Sequence, residues 1–434
     1  MANDWQRYEV ADLIARQQLV IGDGYRAKNE ELGKHGLPFA RAGNINEGFL
    51  FANADRFPEE NLHRLGNKVS EPGDVVFTSK GTVGRFAYVR EVSPRFVYSP
   101  QLCFWRSLDR NLIDSRFLYY WMYGREFYVQ FKGVAGQTDM AEYVSLTDQR
   151  RMHLTLPEIN EQRSIVRILG TLDDKIELNR QMNEAMEGMA RVLFKSWFVD
   201  FDPVRAKAEG NEPALPQRIA GLFPDSFDFI EDREIPKGWS VVGLDKIGRF
   251  LNGLALQKFP PQADRFLPVI KIAQLRTEDT SDADKAGAEL APDYIVDDGD
   301  VLFSWSGSLE CVLWAGGRGA LNQHLFKVTS DIYPKWFYYL WIHAHLPEFR
   351  SIASGKATTM GHIQRGHLSA AKVLVPPPDL FREMDRFFAP LIGQIVNLKL
   401  ASRTLGTIRD TLLPKLVSGE LRIPDVERIV GGQL

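Results

Sequence analysis

The sequence predicts an α+β protein built from two copies of one plan. Two mixed α/β globular domains, related by a pseudo-two-fold axis, are separated by two long antiparallel coiled-coil helices. Three observations support this prediction: matching motifs recur in both halves of the 434 residues, each half opens with short strand-like runs, and each half closes with a long heptad pattern. A single core stops growing at about 250–300 residues, so several domains are expected.

The internal repeat consists of five pairs of matching segments. Their order is the same in both halves, and the distance between the members of a pair shrinks steadily, as loop deletions would cause. Two unrelated domains with similar strand patterns are the alternative explanation. The pairs are residues 5–13 with 239–247, 38–45 with 268–275, 73–77 with 299–303, 101–104 with 323–326, and 117–120 with 336–339.

The first part of each copy is rich in short strand-forming runs that Gly and Pro interrupt, which is typical of strands between turns. An aromatic-rich helix is predicted to follow, over residues 117–129 and 335–344. We therefore expect mixed globular domains at residues 1–155 and 236–375. The clearest strand-forming runs are residues 74–77, 86–89, 300–303 and 372–375.

The second part of each copy is a long helix, expected at residues 156–200 and 376–422. Its seam residues recur at alternating steps of four and three, the period of a coiled coil. Two such seams can cover each other, although each helix packing on its own domain is the alternative. The seams are Ile165, Leu169, Leu172, Ile176, Asn179, Asn183 and Met186 in the first helix, and Met384, Phe388, Leu391, Ile395, Leu398, Ser402 and Leu405 in the second.

Composition limits the remaining choices. With 44% hydrophobic and 25% charged residues the chain is globular, and its net charge of −3 neither indicates nor excludes a DNA-binding protein. The two cysteines, Cys103 and Cys311, form no C-x-x-C, and no signal peptide or membrane-spanning run is visible. We expect a cytoplasmic protein without a membrane partner. Residues 201–235 are expected to be a connector, and 423–434 a tail.

The motifs of several enzyme classes are missing from the sequence. We find no P-loop, glycine-rich dinucleotide fingerprint, carboxylate–lysine nuclease set or serine nucleophile elbow. Asp202–Arg205 lacks the second proline and the aromatic residue of the amino-methyltransferase loop, and the eight histidines show no metal-ligand spacing. These absences favour a recognition or assembly subunit that binds no metal or cofactor itself.

Three polar loops recur in both copies and are candidates for DNA binding. One is a Gly-polar-Thr-Met loop, one follows a predicted strand, and one places a carboxamide three residues after a basic residue. Basic side chains can contact phosphates, and Arg, Asn and Gln can read base edges. Each loop could instead be an ordinary surface turn, with Asn44 bonding backbone. The candidates are Arg41, Asn44, Lys80, Thr82, Arg85, Gln137 and Thr138 in the first copy, and Lys271, Gln274, Ser306, Lys356, Thr358 and Arg365 in the second.

The long helices carry a resemblance to a known family. Residues 156–201 resemble the central conserved region of the specificity subunits of type I restriction–modification systems, and residues 405–419 resemble their distal conserved region. Ile235–Trp239 is similar to the usual entry to a target-recognition domain of that family. The resemblance covers nearly the whole chain. It implies two target-recognition domains, each binding one half of a bipartite site in double-stranded DNA, with the helices as a spacer.

The resemblance also implies partners. Specificity subunits dock two methyltransferase subunits, which carry S-adenosylmethionine and the adenine-methylating site, and restriction subunits that use ATP and Mg. Under this interpretation the chain is a non-catalytic recognition subunit and binds no cofactor. Two alternatives stay open: a DNA-modifying enzyme whose active site has no familiar motif, and a scaffold that binds only proteins.

Overall fold

The computed structural model describes residues 4–45, 48–81, 83–135, 143–230, 233–261, 265–355 and 361–423. The chain divides into two compact units. The first consists of Met1–Lys175 and Leu405–Leu434, and the second of Ile176–Thr404. Each of the two long helices therefore begins in one unit and ends in the other. Candidate residues Thr82, Gln137, Thr138, Lys356 and Thr358 lie outside the described residues.

The described part of the first unit contains three small sheets, and its strands are β1 (Gln6–Glu9), β2 (Leu19–Asp23), β3 (Leu37–Ala40), β4 (Arg56–Phe57), β5 (Val75–Thr78), β6 (Phe86–Tyr88), β7 (Val97–Tyr98), β8 (Leu102–Ser107) and β9 (His153–Leu156). The largest sheet has the antiparallel order β2-β8-β5-β6. A second sheet has the order β4-β3-β7, in which β3 and β7 are parallel. Strands β1 and β9 form an antiparallel pair.

Aromatic side chains fill the core of the first unit. Trp105 of β8 stacks on Trp121 with ring centroids 6.0 Å apart, and Phe127 contacts both rings edge-on. The helix that carries Trp121 begins where the Asp114 carboxylate accepts from the backbone N–H of Phe117. The helices of this part are α1 (Val10–Ala15), α2 (Ser115–Met122), α3 (Arg125–Ala135), α4 (Leu146–Arg150) and the long α5 (Ile159–Phe198).

The second unit contains residues 201–235, which were expected to be a connector. Helices α6 (Asp202–Ala208) and α7 (Gln217–Ala220) and the hairpin of β10 (Phe227–Ile230) and β11 (Arg233–Pro236) lie there. Their apolar side chains are part of the core of this unit, because Phe201, Val204, Phe223 and Ile235 are buried with Trp239. The segment is thus packed structure and not a free linker.

The described strands of the second unit repeat the topology of the first unit, and they are β12 (Ser240–Gly243), β13 (Arg249–Asn252), β14 (Phe266–Ile270), β15 (Lys285–Gly287), β16 (Ile295–Val296), β17 (Val301–Ser304), β18 (Cys311–Leu313), β19 (Gly319–Leu321), β20 (Leu325–Thr329) and β21 (Lys372–Val375). The order β13-β20-β17-β18 matches β2-β8-β5-β6, the parallel pair β14–β19 matches β3–β7, and β12–β21 matches β1–β9. The helices are α8 (Leu244–Ile247), α9 (Ile272–Thr277), α10 (Lys335–Ser354), α11 (Arg365–Ala370) and α12 (Pro378–Val417). The repeat and the mixed α and β fold class predicted from the sequence are confirmed.

Strand register corrects one pair of the sequence repeat. Val75 pairs with Trp105, and the matching Val301 pairs with Val328. Counting back along the two strands, Gln101 corresponds to His324 and not to Gln323, with which the sequence motif had paired it. The sequence alignment matched Gln101 with Gln323 because the two residues are identical. It therefore differs by one residue from the register that the strand pairing sets.

The two long helices run antiparallel within each unit. In the first unit, Arg409 of α12 contacts Asp173 of α5 at 2.9 Å, and Arg422 contacts Glu161 at 3.1 Å. In the second unit, the polar pair is Asn179 Nδ2 donating to Ser402 Oγ at 3.3 Å. Closer to the start of α12, Phe194 meets Phe388 edge-on at 6.3 Å. In both units, partners later in α5 are earlier in α12.

The predicted seam residues differ in how deeply they are buried. Asn179 and Asn183 are buried, and neither Oδ1 atom has a hydrogen-bond partner among the described residues. The middle of the seam is therefore buried but polar, whereas its ends are apolar. Fully buried are Ile165, Leu169, Met384, Phe388, Ile395 and Leu398, and partly buried are Leu172, Ile176, Met186 and Leu391.

A glycine inside α5 gives a test of this helix. A Cβ at Gly188 would meet no atom within 4 Å, so Gly188→Ala is expected to raise the free energy of unfolding by about 1 kcal/mol through helix propensity. Urea unfolding measures the change. Gly170 of the same helix is the control, because its Cβ would lie 2.9 Å from Arg116 Nη1. Gly170→Ala should give no gain, and an equal gain at both sites would contradict the contact at Gly170.

Candidate nucleic-acid interface

The turn after β5 in the first domain is bonded to a segment far along the chain. Lys80 follows this strand and bridges to Tyr143, and the N–H of Val144 donates to the carbonyl oxygen of Ser79 at 3.1 Å. Tyr143 stands three residues after the Gly-polar-Thr-Met loop of residues 136–140, and residues 136–142 lie outside the described residues. The backbone therefore fixes the segment that begins at Tyr143 beside the turn that follows β5.

The third candidate loop joins them through Gln101. The N–H of Ser79 donates to the Gln101 carbonyl oxygen at 2.9 Å, and the N–H of Ala42 donates to Gln101 Oε1 at 3.2 Å. The start of the third loop, the turn after β5, Gln101 and the segment that begins at Tyr143 are thus bonded together. We call residues Ala42, Ser79, Lys80, Gln101 and Tyr143 the first polar edge.

The second domain repeats this convergence with different side chains. The N–H of Ile363 donates to the Trp305 carbonyl oxygen at 2.9 Å, and Ser306 bridges to His362. On the other side, the N–H of Trp305 donates to the carbonyl oxygen of His324 at 3.3 Å. The backbone N–H of Asn322, two residues before His324, bonds Ile270, the residue before the third loop, at 3.3 Å. We call Lys271, Trp305, Ser306, His324 and His362 the second polar edge.

The carboxamides of the third loop stabilise backbone turns. Asn44 Oδ1 accepts from the N–H of Arg41 at 2.8 Å, and Asn44 Nδ2 donates to the Leu50 carbonyl oxygen at 2.8 Å. Gln274 Oε1 accepts in the same way from the N–H of Lys271 at 3.2 Å. Of the two roles that the sequence left open for Asn44, the structure shows the backbone one.

The basic residues of the third loop are paired with carboxylates. Arg41 Nη1 lies 2.6 Å from Asp55 Oδ2, and the Lys271 ammonium forms an ion pair with Asp284. These pairs are exposed, and such pairs contribute at most about 1 kcal/mol. A phosphate could therefore replace either carboxylate at little cost.

The other basic candidates are more available. The Lys80 ammonium lies 4.5 Å from the centre of the Tyr143 ring, a cation–π contact. Arg85 is exposed, and it has no ion pair with another of the described residues. Arg365 at the start of α11 is exposed as well, with its guanidinium 5.7 Å from the Phe326 ring and one bond to the Phe250 carbonyl oxygen. These three cations are presented without a carboxylate partner within the described residues.

A buried charge cluster anchors the other end of β5. The Asp74 carboxylate, which is fully buried, accepts from Arg106 Nε at 2.6 Å and from the Tyr98 hydroxyl at 2.5 Å. Burial, followed by the nearby Asp74 charge, raises the pKa of Tyr98 well above its usual value. In the second domain, Lys327 and Asp300 form the corresponding pair at 2.8 Å. Each strand that leads to a polar edge thus starts from a fixed ion pair.

Gln149 holds the segment after the first Gly-polar-Thr-Met loop. Its fully buried amide accepts from Trp105 Nε1 at 2.9 Å and donates to the Val144 carbonyl oxygen at 3.3 Å. One side chain therefore ties the loop end to the aromatic core. Through Gln149, the polar edge is bonded to the packed core.

Of the ten residues of the two edges, Lys80, Lys271 and Ser306 were candidates from the sequence. The other seven were not: Ala42, Ser79, Gln101, Tyr143, Trp305, His324 and His362. Gln101 stood inside a repeat motif and was treated as a structural marker. Comparing the copies position by position could have found it together with His324, but the alignment was shifted there by one residue.

The chain also matches known proteins. Residues 3–187 and 236–396 match the family model described as the type I restriction modification DNA specificity domain. This match spans most of the chain, and the chain belongs to that family. The resemblance to type I specificity subunits that the sequence indicated is confirmed.

Two relatives carry the same designation. The specificity subunit of the type I restriction enzyme HindI from Haemophilus influenzae is 23% identical over 475 residues, covering 96% of this chain and all of the relative. The specificity subunit of the type I restriction enzyme MjaIX from Methanocaldococcus jannaschii is 25% identical over 380 residues, covering 85% and 82%. The chain is accordingly a recognition subunit and not itself the enzyme.

A solved structure shares the fold. The crystal structure of the S subunit of a type I restriction–modification system from M. genitalium superimposes with a TM-score of 0.52 at 14% sequence identity, covering 96% of this chain and 97% of that one. Among the described residues, no helix is long and apolar enough to cross a membrane. The same part of the chain has no cluster of three or more His, Cys, Asp or Glu side chains placed to hold a metal ion.

The bridging role of Gln149 can be tested by Gln149→Met, which keeps the length of the side chain and removes the amide. Trp105 Nε1 then loses its acceptor, and an unpaired buried N–H costs about 1–3 kcal/mol. We expect a loss of that size in urea unfolding. Gln181→Met on the exposed surface of α5 is the control, expected within about 0.5 kcal/mol of the wild type. Equal effects of the two changes would contradict the bridging role.

Proposed function

We propose that the chain is the DNA sequence-specificity subunit of a type I restriction–modification complex, acting in the cytoplasm. It binds a bipartite site in double-stranded DNA, with one recognition domain, residues 1–155 or 236–375, on each half-site. The observation that carries this proposal is the bonding at one edge of each repeated domain, where the turn after the central strand joins both Gln101 or His324 and the segment of Tyr143 or His362. A duplicated edge suits two half-sites.

The proposed DNA-contacting residues differ in what their side chains are bonded to in the free protein. Lys80, Arg85 and Arg365 present cations for phosphates or guanine edges. Arg41 and Lys271 are in exposed ion pairs that a phosphate could displace. Asn44 and Gln274 shape the turns, and Ser306 is bonded to His324 at 3.0 Å. Thr82, Gln137, Thr138, Lys356 and Thr358 are proposed from the sequence alone.

The outer face of α5 supports docking of a partner helix. A second apolar stripe runs along this helix at steps of four and three residues, separate from the seam that faces α12. Its members are exposed: Leu178 by 48%, Met189 by 57% and Val192 by 68%. Such spacing fits an amphipathic helix of another chain. The stripe consists of Leu178, Met182, Ala185, Met189 and Val192.

We assign this stripe to a methyltransferase subunit. In the proposed complex, residues 156–200 and 376–422 form the spacer between the half-sites and dock two methyltransferase subunits, which restriction subunits join. These partners bind S-adenosylmethionine, ATP and Mg, and the specificity subunit selects the DNA site. Partners that also contact phosphates can compensate for the net charge of −3 of this chain.

The function is tested by expressing the chain with the methyltransferase subunit encoded beside it and sequencing methylated bases in cells with and without the chain. We expect a stable complex and a bipartite adenine-methylation motif that disappears when the chain is removed. A stable complex without any chain-dependent methylation would contradict the proposed specificity role. Absence of a complex would contradict the docking role.

Docking on α5 is tested by Val192→Asp at the most exposed large side chain of the stripe. A charge there would be buried without a partner in the complex, so we expect co-purification of the methyltransferase subunit to fall at least tenfold. Val192→Ile is the matched control, because it keeps the site apolar, and it should bind as the wild type does. Circular dichroism of the free chain checks that both variants fold. Equal co-purification of the two variants would remove this stripe from the interface.

A further inference from the structure

The two polar edges share a backbone framework, so that residues of one domain can be matched to residues of the other. Val144 donates to Ser79 as Ile363 donates to Trp305, at 3.1 and 2.9 Å. The Thr78 hydroxyl accepts from the N–H of Arg85 at 3.0 Å, and the Ser304 hydroxyl accepts from the N–H of Glu310 at 2.7 Å. Equivalent positions therefore follow from hydrogen bonds and not from sequence similarity.

Four matched positions differ in chemistry although their backbone is equivalent, and of their eight side chains only that of Ser306 is buried. Lys80 corresponds to Ser306 and Tyr143 to His362, because both pairs form the same bridge. Gln101 corresponds to His324, since each carbonyl oxygen accepts from the residue that leaves the central strand. Arg85 corresponds to Glu310. The matched pairs are Lys80 and Ser306, Arg85 and Glu310, Gln101 and His324, and Tyr143 and His362.

The charge reverses at the second of these pairs. Arg85 is exposed on the first domain, whereas Glu310 holds two arginines on the second. Arg350 Nη2 lies 3.1 Å from Glu310 Oε2, and Arg276 Nη2 lies 3.8 Å from Glu310 Oε1. Arg350 also donates twice to the Leu309 carbonyl oxygen, so it is fixed. Arg276 on α9 is 56% exposed and makes only the longer contact with Glu310, so its guanidinium can turn outward.

The aromatic surroundings differ as well. In the first domain, Tyr143 lies under the Lys80 ammonium. In the second domain, the Trp305 ring contacts two imidazoles, with centroids 5.7 Å from His324 and 6.4 Å from His362. A neutral imidazole offers one donor and one acceptor nitrogen, whereas an ammonium can only donate.

We propose that these four matched pairs are the specificity-determining positions of the recognition domains, and that Arg276, positioned by Glu310, supplies in the second domain the cation that Arg85 supplies in the first. This inference rests on the proposed function. It names which side chains distinguish the half-sites. A framework held by backbone bonds and by the Thr78 and Ser304 hydroxyls accepts these changes without refolding.

The first test exchanges residues between domains in the complete methyltransferase complex. Gln101→His with Tyr143→His gives the first edge the imidazoles of the second, and His324→Gln with His362→Tyr does the reverse. Sequencing of methylated bases is expected to show altered base preference in one half of the motif for the first pair and in the other half for the second. The untouched half should keep its sequence.

Three results separate the possible failures. Wild-type complex that yields no bipartite motif would overturn the proposed function itself. A normal wild-type motif that both exchanged variants retain at full methylation would overturn only the inference, as would a change of the same half by both. If an exchanged chain unfolds, Tyr143→Phe and His362→Asn keep the packing closer to native, and unchanged motifs with these folded variants would also overturn it.

The second test addresses Arg276. Arg276→Ala in the assembled complex should weaken binding to duplex carrying the motif by about tenfold and reduce the slope of log Kd against log salt by about one. Arg276→Lys should restore the slope. Glu310→Gln releases Arg276 while its charge remains, so it should alter base preference in the second half-site and leave the salt slope unchanged. A salt slope that Arg276→Ala leaves unchanged would overturn the role of Arg276.

Discussion

The proposed DNA-binding surface depends on one backbone pairing that occurs in both domains. Just beyond its end, the central strand of the main sheet is joined to a distant segment, through Ser79 and Val144 in one copy and Trp305 and Ile363 in the other. This bond brings together, at one edge, segments some sixty residues apart in sequence.

The rigidity of that edge comes from buried groups on both sides. Asp74 with Arg106 fixes the start of β5, and Gln149 fixes the segment after the loop to Trp105. An unpaired member of either set would be costly, because buried polar groups are expensive to leave without partners. The exposed ion pairs Arg41–Asp55 and Lys271–Asp284 have the opposite character, and they can be exchanged for contacts with a ligand.

Periodicity and repetition made much of the fold predictable, whereas tertiary pairing did not. The heptad seam placed the long helices to within a few residues of Ile159–Phe198 and Pro378–Val417. Nothing in the sequence indicated that residues 201–235 pack into the core. Phe201, Val204 and Phe223 are buried together, but Pro, Gly and charged residues separate them along the chain. Among the site residues, Asn44 could not be assigned from sequence, because a carboxamide that caps a turn and one that reads adenine look alike. Tyr143 and His362 are brought to the edge only by a bridge between distant segments, and no local pattern indicates such a bridge.

The same framework explains how a duplicated domain can diverge in specificity without losing its fold. The bonds that define each edge are made mostly by main-chain N–H and C=O groups. The recurring side-chain contributions are a hydroxyl, Thr78 or Ser304, and a carboxamide, Asn44 or Gln274. A main-chain bond is nearly indifferent to the side chain attached to it. Arg85 can therefore become Glu310, and Lys80 can become Ser306, while strand register and loop position are kept. Under the proposed function, fold stability rests on the main-chain atoms of these residues and base choice on their side chains, so that each can change without the other.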